Sequence, residues 1–181
     1  MIAKETKLKG CFILEPKIFE DSRGYFFESF NQNTFNKLIG QNINFIQDNE
    51  SFSVKGTLRG LHYQNGEYAQ AKLVRVIKGS VFDIAVDIRK DSDTFGEHVS
   101  LELSEANKKQ LYIPRGFAHG FVVLSDTAIF SYKCDNFYNK ESEGGIIYND
   151  ESLKIDWKSR EDKFIISEKD LMLPKLKNTQ L

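Results

Sequence analysis

The chain has 181 residues, 40% of them hydrophobic and 13% aromatic, so it can bury one sizeable core. Its 25 basic and 26 acidic side chains leave a formal net charge of −1. This balance offers no basic face to nucleic acid or to an anionic membrane, so an anionic ligand must be caught by a few placed cations.

The N-terminal stretch MIAKETKLKG has no apolar run of signal-peptide type, and apolar runs such as 121–124 are too short to span a bilayer. A cytoplasmic location is therefore expected. Cys11 and Cys134 lack CxxC or zinc-finger spacing and read as unpaired thiols in a reducing compartment. There is no internal repeat, and no Pro/Gly/Ser-rich linker divides the chain. We expect one domain over 1–181, with a barrel core over roughly 8–150 and a tail over 151–181.

In chain order, β-branched and aromatic clusters predict strands at Cys11–Glu15, Tyr25–Phe30, Asn44–Asn49, Leu58–Gln64, Lys72–Ile77 and Val81–Ile88. Further strands are expected at His98–Leu103, Gln110–Ile113, Ala118–Leu124, Ala128–Lys133 and Gly145–Tyr148. In the clearest, Phe82, Ile84, Val86 and Ile88 share one face, and Val81, Asp83, Ala85 and Asp87 share the other. Lys78-Gly79-Ser80 reads as a hairpin turn. A short helix is expected over Asn33–Ile39, capped by Asn31 or Asn33 and stopped by Gly40. The polar tail should form loops and a turn or two of helix, packing partly on the body through Trp157 and Phe164–Ile166. Many short strands at this spacing argue for a sandwich or barrel, whose mouth or interior can hold a small molecule.

Histidine is scarce: His62, His98 and His119. His98 reads as a structural residue. His62 has Arg59 three residues before it and Lys72 and Arg75 on the next strand, a setting in which a neutral ring can act as base. Arg23, Arg59, Lys72 and Arg75 lie among apolar strand residues. They are either solvent-facing strand positions or an inward cluster that meets a phosphate or a developing oxyanion. Strict alternation puts Arg59 and His62 on opposite faces of strand 58–64, unless a bulge at Gly60 brings both to one cavity. The closely spaced histidine pair of metal-binding barrels is absent, so no metal is expected. No GxGxxG, Walker loop or GxSxG elbow occurs, so nucleotide-cofactor and serine-nucleophile chemistry find no support.

Four strings carry a family resemblance: Arg59-Gly60-Leu61-His62-Tyr63-Gln64, Ala69-Gln70-Ala71-Lys72-Leu73-Val74-Arg75, Val86-Asp87-Ile88-Arg89, and 113–121 (IPRGFAHGF). Together with Asp21-Ser22-Arg23-Gly24-Tyr25-Phe26, Gln47-Asp48-Asn49, Tyr132-Lys133, Asn149-Asp150 and Ser167-Glu168-Lys169-Asp170, they resemble the dTDP-4-dehydrorhamnose 3,5-epimerase family over about residues 8–175. The resemblance implies an all-β jelly-roll barrel of the cupin type, with a few short helices and a C-terminal extension packing on the barrel. It implies a homodimer that uses neither metal nor cofactor and takes a nucleotide-linked 4-keto-6-deoxy sugar. By the family pattern His62 is the base, Asp170 orients it, Tyr132 is the acid on the opposite face, and Lys72 faces the enolate oxygen. Arg23, Glu28, Gln47, Asn49, Arg59, His119, Glu143 and Lys169 match substrate-contacting positions, and Tyr138 matches a position that stacks on the nucleobase. Departures are modest. The loop Asn65-Gly66-Glu67-Tyr68 lacks a common proline, Asp93 stands where proline is frequent, and Tyr148 and Phe137 replace a frequent tryptophan and tyrosine. Three alternatives share parts of this pattern: a single-carbon epimerase on a related sugar, a non-catalytic sugar-nucleotide-binding barrel, and a metal-dependent barrel enzyme.

Overall fold

The computed structural model describes residues 1–158 and 164–179. It is a jelly roll of two facing antiparallel sheets. The first has six strands: β1 (Ile2–Glu5), β2 (Phe12–Glu15), β10 (Gln110–Ile113), β7 (Lys72–Lys78), β12 (Thr127–Cys134) and β5 (Gln47–Val54), in that order. The second has five: β13 (Glu143–Gly145), β6 (Leu58–Gln64), β11 (Phe117–Val123), β8 (Ser80–Asp87) and β9 (His98–Ser104). A separate exposed hairpin joins β3 (Phe19–Asp21) to β4 (Gly24–Phe26).

Three apolar layers explain the arrangement. The barrel interior is filled from both sheets, by Val74 and Val76 on β7, Phe130 on β12, Val81 and Ala85 on β8, and Phe121 on β11. The outer face of the five-stranded sheet, with Ile84, Val86 and Ala118, is covered by Trp157 and Leu176 from the tail. The outer face of the six-stranded sheet, with Leu14, Leu73 and Tyr112, is covered by helix α1 (Gln32–Ile39) through Phe35 and Ile39. The two faces of β8 thus sort into different layers as its alternation predicts, and both are buried because the tail closes the outer one. Asn31 caps α1 through the Thr34 amide, and Gly40 ends it in the left-handed region.

Several boundaries depart from the sequence reading. Val81–Ile88 and Lys72–Ile77 do form strands, but Gly79 does not make a hairpin: β7 and β8 belong to different sheets, and the chain turns a corner between them. A Cβ on Gly79 would meet the Thr127 carbonyl oxygen at 2.1 Å, and its φ is +78°. The strand expected at 44–49 lies at 47–54 instead, because pairing with β12, rather than the apolar run before it, sets its limits. Tyr25–Phe30 shrinks to β4, and Gly145–Tyr148 shifts to β13, where Gly144 lies against the Tyr63 ring. No helix among the described residues is long and apolar enough to cross a membrane.

Candidate active site

Neighbouring strands of the two sheets deliver His62, Arg59, Lys72, His119 and Tyr132 to one cavity of about 170 Å³, which Ser51, Gly120, Phe121 and Phe130 also line. The conflict between Arg59 and His62 is resolved by an irregularity. Pairing of β11 with β6 shifts register between His119↔His62 and Phe121↔Arg59. Gly60 lies inside that shift with φ +119°, and a Cβ there would stand 2.6 Å from the Gly120 Cα. Glycine at position 60 is thus the condition for both side chains to reach the cavity.

His62 Nε2 lies 2.8 Å from Asp170 Oδ1, and the other carboxylate oxygen accepts from the Gly60 amide at 3.2 Å. A carboxylate only accepts, so in the neutral ring the proton sits on Nε2 and Nδ1 keeps the free lone pair. Burial alone would raise the Asp170 carboxyl. The hydrogen bond and charge of His62, the Gly60 amide and the Ser167 hydroxyl outweigh it and hold the group below its ordinary 3.8. Asp170 reaches the barrel because the tail folds back: Ser167 caps the short helix α2 (Glu168–Leu171) by accepting from the Asp170 amide.

Lys72 begins β7, deep in the barrel, with its exposed surface facing the cavity. Burial lowers its pKa, and Cys134, Asp83 and Glu143 partly restore it. Its ammonium stands 5.8 Å from the centre of the Tyr132 ring. Burial raises the Tyr132 phenol, keeping it protonated at neutral pH. Among the described residues, neither the Lys72 ammonium nor the Tyr132 hydroxyl has a side-chain hydrogen-bond or ion-pair partner. His119 is fixed by a 2.9 Å bond to the fully buried Asp83. Arg59 donates to the Ser53 hydroxyl at 3.1 Å.

A second group is linked by hydrogen bonds, and two of its members, Glu143 and Lys169, line a neighbouring pocket that shares His62. Gln47 donates to Asn49 at 3.1 Å and accepts from the Tyr138 amide at 3.2 Å. The Tyr138 hydroxyl and the Lys169 ammonium both donate to the same Glu143 oxygen, at 2.9 and 2.7 Å. Burial would raise Glu143, but these two donors and the nearby His62 lower it. Tyr138 itself is 54% exposed, with its ring free to take a flat partner.

Three expected residues lie elsewhere. Arg75 points away from the cavity: Val74 and Val76 take the inward face of β7, leaving Arg75 outside, 5.5 Å from the Phe27 ring. Arg23 lies on the exposed hairpin, paired with Asp21 at 2.6 Å, and Glu28 accepts from Asn31 at 3.2 Å. Neither lines the cavity. Conversely, sequence reading did not select Phe121, Phe130, Ser51 and Asp83. Strand parity was the available signal, because Phe121 stands two residues after His119 and Phe130 two before Tyr132. No three His, Cys, Asp or Glu side chains among the described residues converge as a metal cage.

A lone-pair imidazole, a phenol and an unpaired ammonium around one small cavity can move protons at a carbon beside a carbonyl. Fold and site together fit the class of barrel isomerases. The family model for dTDP-4-dehydrorhamnose 3,5-epimerase matches residues 5–178. The dTDP-4-dehydrorhamnose 3,5-epimerase of Salmonella typhimurium is 58% identical over 157 residues, covering 87% of this chain and 86% of that protein. A crystal structure of the Elizabethkingia anophelis dTDP-4-dehydrorhamnose 3,5-epimerase superposes with TM-score 0.95 at 57% identity, covering 99% of this chain and 98% of that one. The Legionella pneumophila dTDP-6-deoxy-D-glucose-3,5-epimerase, solved with dTDP-4-keto-L-rhamnose, gives TM-score 0.94 at 48% identity, covering 98% and 94%. The chain belongs to the dTDP-4-dehydrorhamnose 3,5-epimerase family.

Proposed function

We propose that the chain epimerises dTDP-4-dehydro-6-deoxy-D-glucose at C3 and C5 to dTDP-4-dehydro-L-rhamnose without a cofactor, as a step in nucleotide-sugar biosynthesis. The observation that carries this reading is the His62–Asp170 pair opening on the same cavity as the unpaired Lys72 and Tyr132.

A proton on the carbon beside the C4 ketone is weakly acidic, and His62 removes it through Nδ1. The electron pair moves to the carbonyl oxygen, and Lys72 meets the resulting enolate. In a low-dielectric cavity a preorganised cation is worth far more than in water. Asp170 stabilises the imidazolium and holds the tautomer. Tyr132 then delivers a proton to the opposite face of the same carbon, and the bond to His62's face is not remade, so the centre inverts. Exchange with water reprotonates the phenolate and clears the imidazolium. Arg59 and His119 take the phosphate and sugar oxygens. Gln47, Asn49, Glu143, Lys169 and Tyr138 take the nucleoside, with Tyr138 stacked on the base.

We further read the working form as a cytoplasmic homodimer in which residues 1–181 act as one unit. The hairpin β3–β4 carries Arg23 and exposes Phe19 and Phe26, and the neighbourhood of the site exposes Phe52, Val54 and Ile165. The family pattern gives Arg23 and Glu28 substrate contacts, yet neither lines the cavity of its own chain; a hairpin reaching the cavity of a second copy would reconcile the two.

The test is incubation with dTDP-4-dehydro-6-deoxy-D-glucose in heavy water. Deuterium is expected at both C3 and C5. Incorporation at one carbon alone identifies a single-carbon epimerase, and none at all identifies a binding protein. In His62→Ala, exchange should vanish while dTDP still binds.

A further inference from the structure

We propose that the rings of Phe121 and Phe130 seat the C6 methyl group of the substrate and thereby select 6-deoxy sugars over hexoses that carry a C6 hydroxyl. The inference rests on the epimerase reading above and names the part of the sugar that one wall of the cavity recognises.

The lining of the cavity divides by chemistry. Arg59, His62, Lys72, His119, Tyr132 and Ser51 bring hydrogen-bonding or charged groups. The aromatic hydrocarbon surface comes from Phe121 and Phe130, whose rings stack at 4.3 Å between centroids with 21° between planes. Both are anchored in the barrel core, Phe121 at 5% and Phe130 at 1% exposure, so the wall is rigid and presents only a small face to the cavity. It also adjoins the reacting groups. Phe130 stacks on His119 at 5.9 Å and lies 6.1 Å from Tyr132, and Phe121 lies 6.5 Å from His119.

A 4-keto-6-deoxyhexose is polar all round its ring apart from one substituent, the methyl on C5. With the C4 oxygen at Lys72, that methyl needs an apolar neighbour close to the ammonium and the phenol, and these two rings supply it. A methyl there gains close contact and sheds water. A hydroxyl placed there loses water and meets ring carbon, and the imidazole stacked on Phe130, His119, is already held by Asp83. The seat also has a catalytic consequence. C5 bears the methyl and is one of the two carbons exchanged, so holding C6 sets how the sugar ring turns C5 toward His62 and Tyr132.

The experiment compares dTDP-4-keto-6-deoxyglucose with its 6-hydroxy counterpart, dTDP-4-ketoglucose. Deuterium incorporation gives kcat/KM for each, and calorimetry gives binding of each. Wild type should favour the methyl sugar by roughly 10–100-fold. Phe121→Asn should lower that ratio at least about tenfold, whereas Phe121→Leu should keep it within about threefold even if both rates fall. Should Phe121→Asn fail to fold, Phe130→Tyr adds the polar group with the ring retained and should shift the ratio in the same direction. A wild-type ratio near one overturns the seat. So does an unchanged ratio in a folded polar variant that still binds dTDP. Absence of exchange in wild type, with a binding preference that Phe121→Asn abolishes, leaves the seat standing and sinks the epimerase reading instead.

Discussion

Both oxygens of Asp170 are committed, one to the His62 ring and one to the Gly60 amide, so this carboxylate fixes the imidazole and the strand irregularity that aims it. Asp170→Asn keeps the shape but removes the charge that stabilises an imidazolium. Its kcat should fall by about 10²–10⁴-fold with dTDP affinity nearly unchanged, as steady-state kinetics and calorimetry would show. Equal losses in both would mean that the side chain only supports the fold. The same group carries a pH signature. Its folded-state pKa lies below the ordinary 3.8, so the unfolded chain binds its proton first as pH falls. The stability it contributes is complete above the ordinary value and is lost as pH drops through the lower, folded value. Thermal melts of wild type and Asp170→Asn should therefore differ at neutral pH and converge in that acid window. Sequence reading reached His62 and Lys72 through their clustering with other cations. It reached Asp170 only through family resemblance, because 108 residues separate it from His62 and a tail charge alone looks solvated. Arg75 misled because strand parity on β7 was not applied to it: Lys72, Val74 and Val76 share the inner face, and Arg75 takes the other.

The element that delivers Asp170 is short and borrowed from the tail. Helix α2 spans four residues, too few to be stable alone, and it depends on its Ser167 cap and on anchors around it. One anchor is Asp150, whose Oδ2 accepts from the Leu176 amide at 2.6 Å while Oδ1 accepts from Ser152. A parallel bridge between Thr57 and Ile165 ties the segment to the start of β6. Ser167→Ala should cost about 1 kcal/mol in urea unfolding and also lower kcat, because the loosened helix no longer holds Asp170 against His62. A loss of stability with full activity would show that α2 stays docked without its cap. Elements whose limits coincide with their own sequence signals were legible: β6, β10 and α1 stand within about one residue of their expected limits, although the partners of both strands lie far along the chain. Elements whose limits a partner sets against the local apolar pattern were not. β5 takes its limits from β12, and the corner at Gly79 looks locally like a hairpin because glycine with positive φ serves both.

At the scale of the molecule, the exposed hairpin and the apolar rim need a common explanation. Phe26 is 70% and Phe52 60% exposed, and each has exposed apolar company, Phe19 across the hairpin from Phe26 and Val54 and Ile165 near Phe52, which a working monomer in water would not favour. The sequence announced aromatic abundance but could not say which rings stay outside, since that depends on how the sheets close. If the hairpin of one copy completes the cavity of the other, Arg23 and His62 in a working site come from different chains. Sedimentation should then give twice the mass of one chain. Arg23→Glu and His62→Ala should each be inactive alone. Mixed and reassembled in equal amounts, half the dimers pair one variant with the other. Each mixed dimer has one cavity with an intact His62 and an intact partner-donated arginine. About a quarter of wild-type exchange should return, measured as deuterium incorporation per chain. Cavities built from a single chain would give no recovery at any mixing ratio, because every cavity would then lack either its own Arg23 or its own His62.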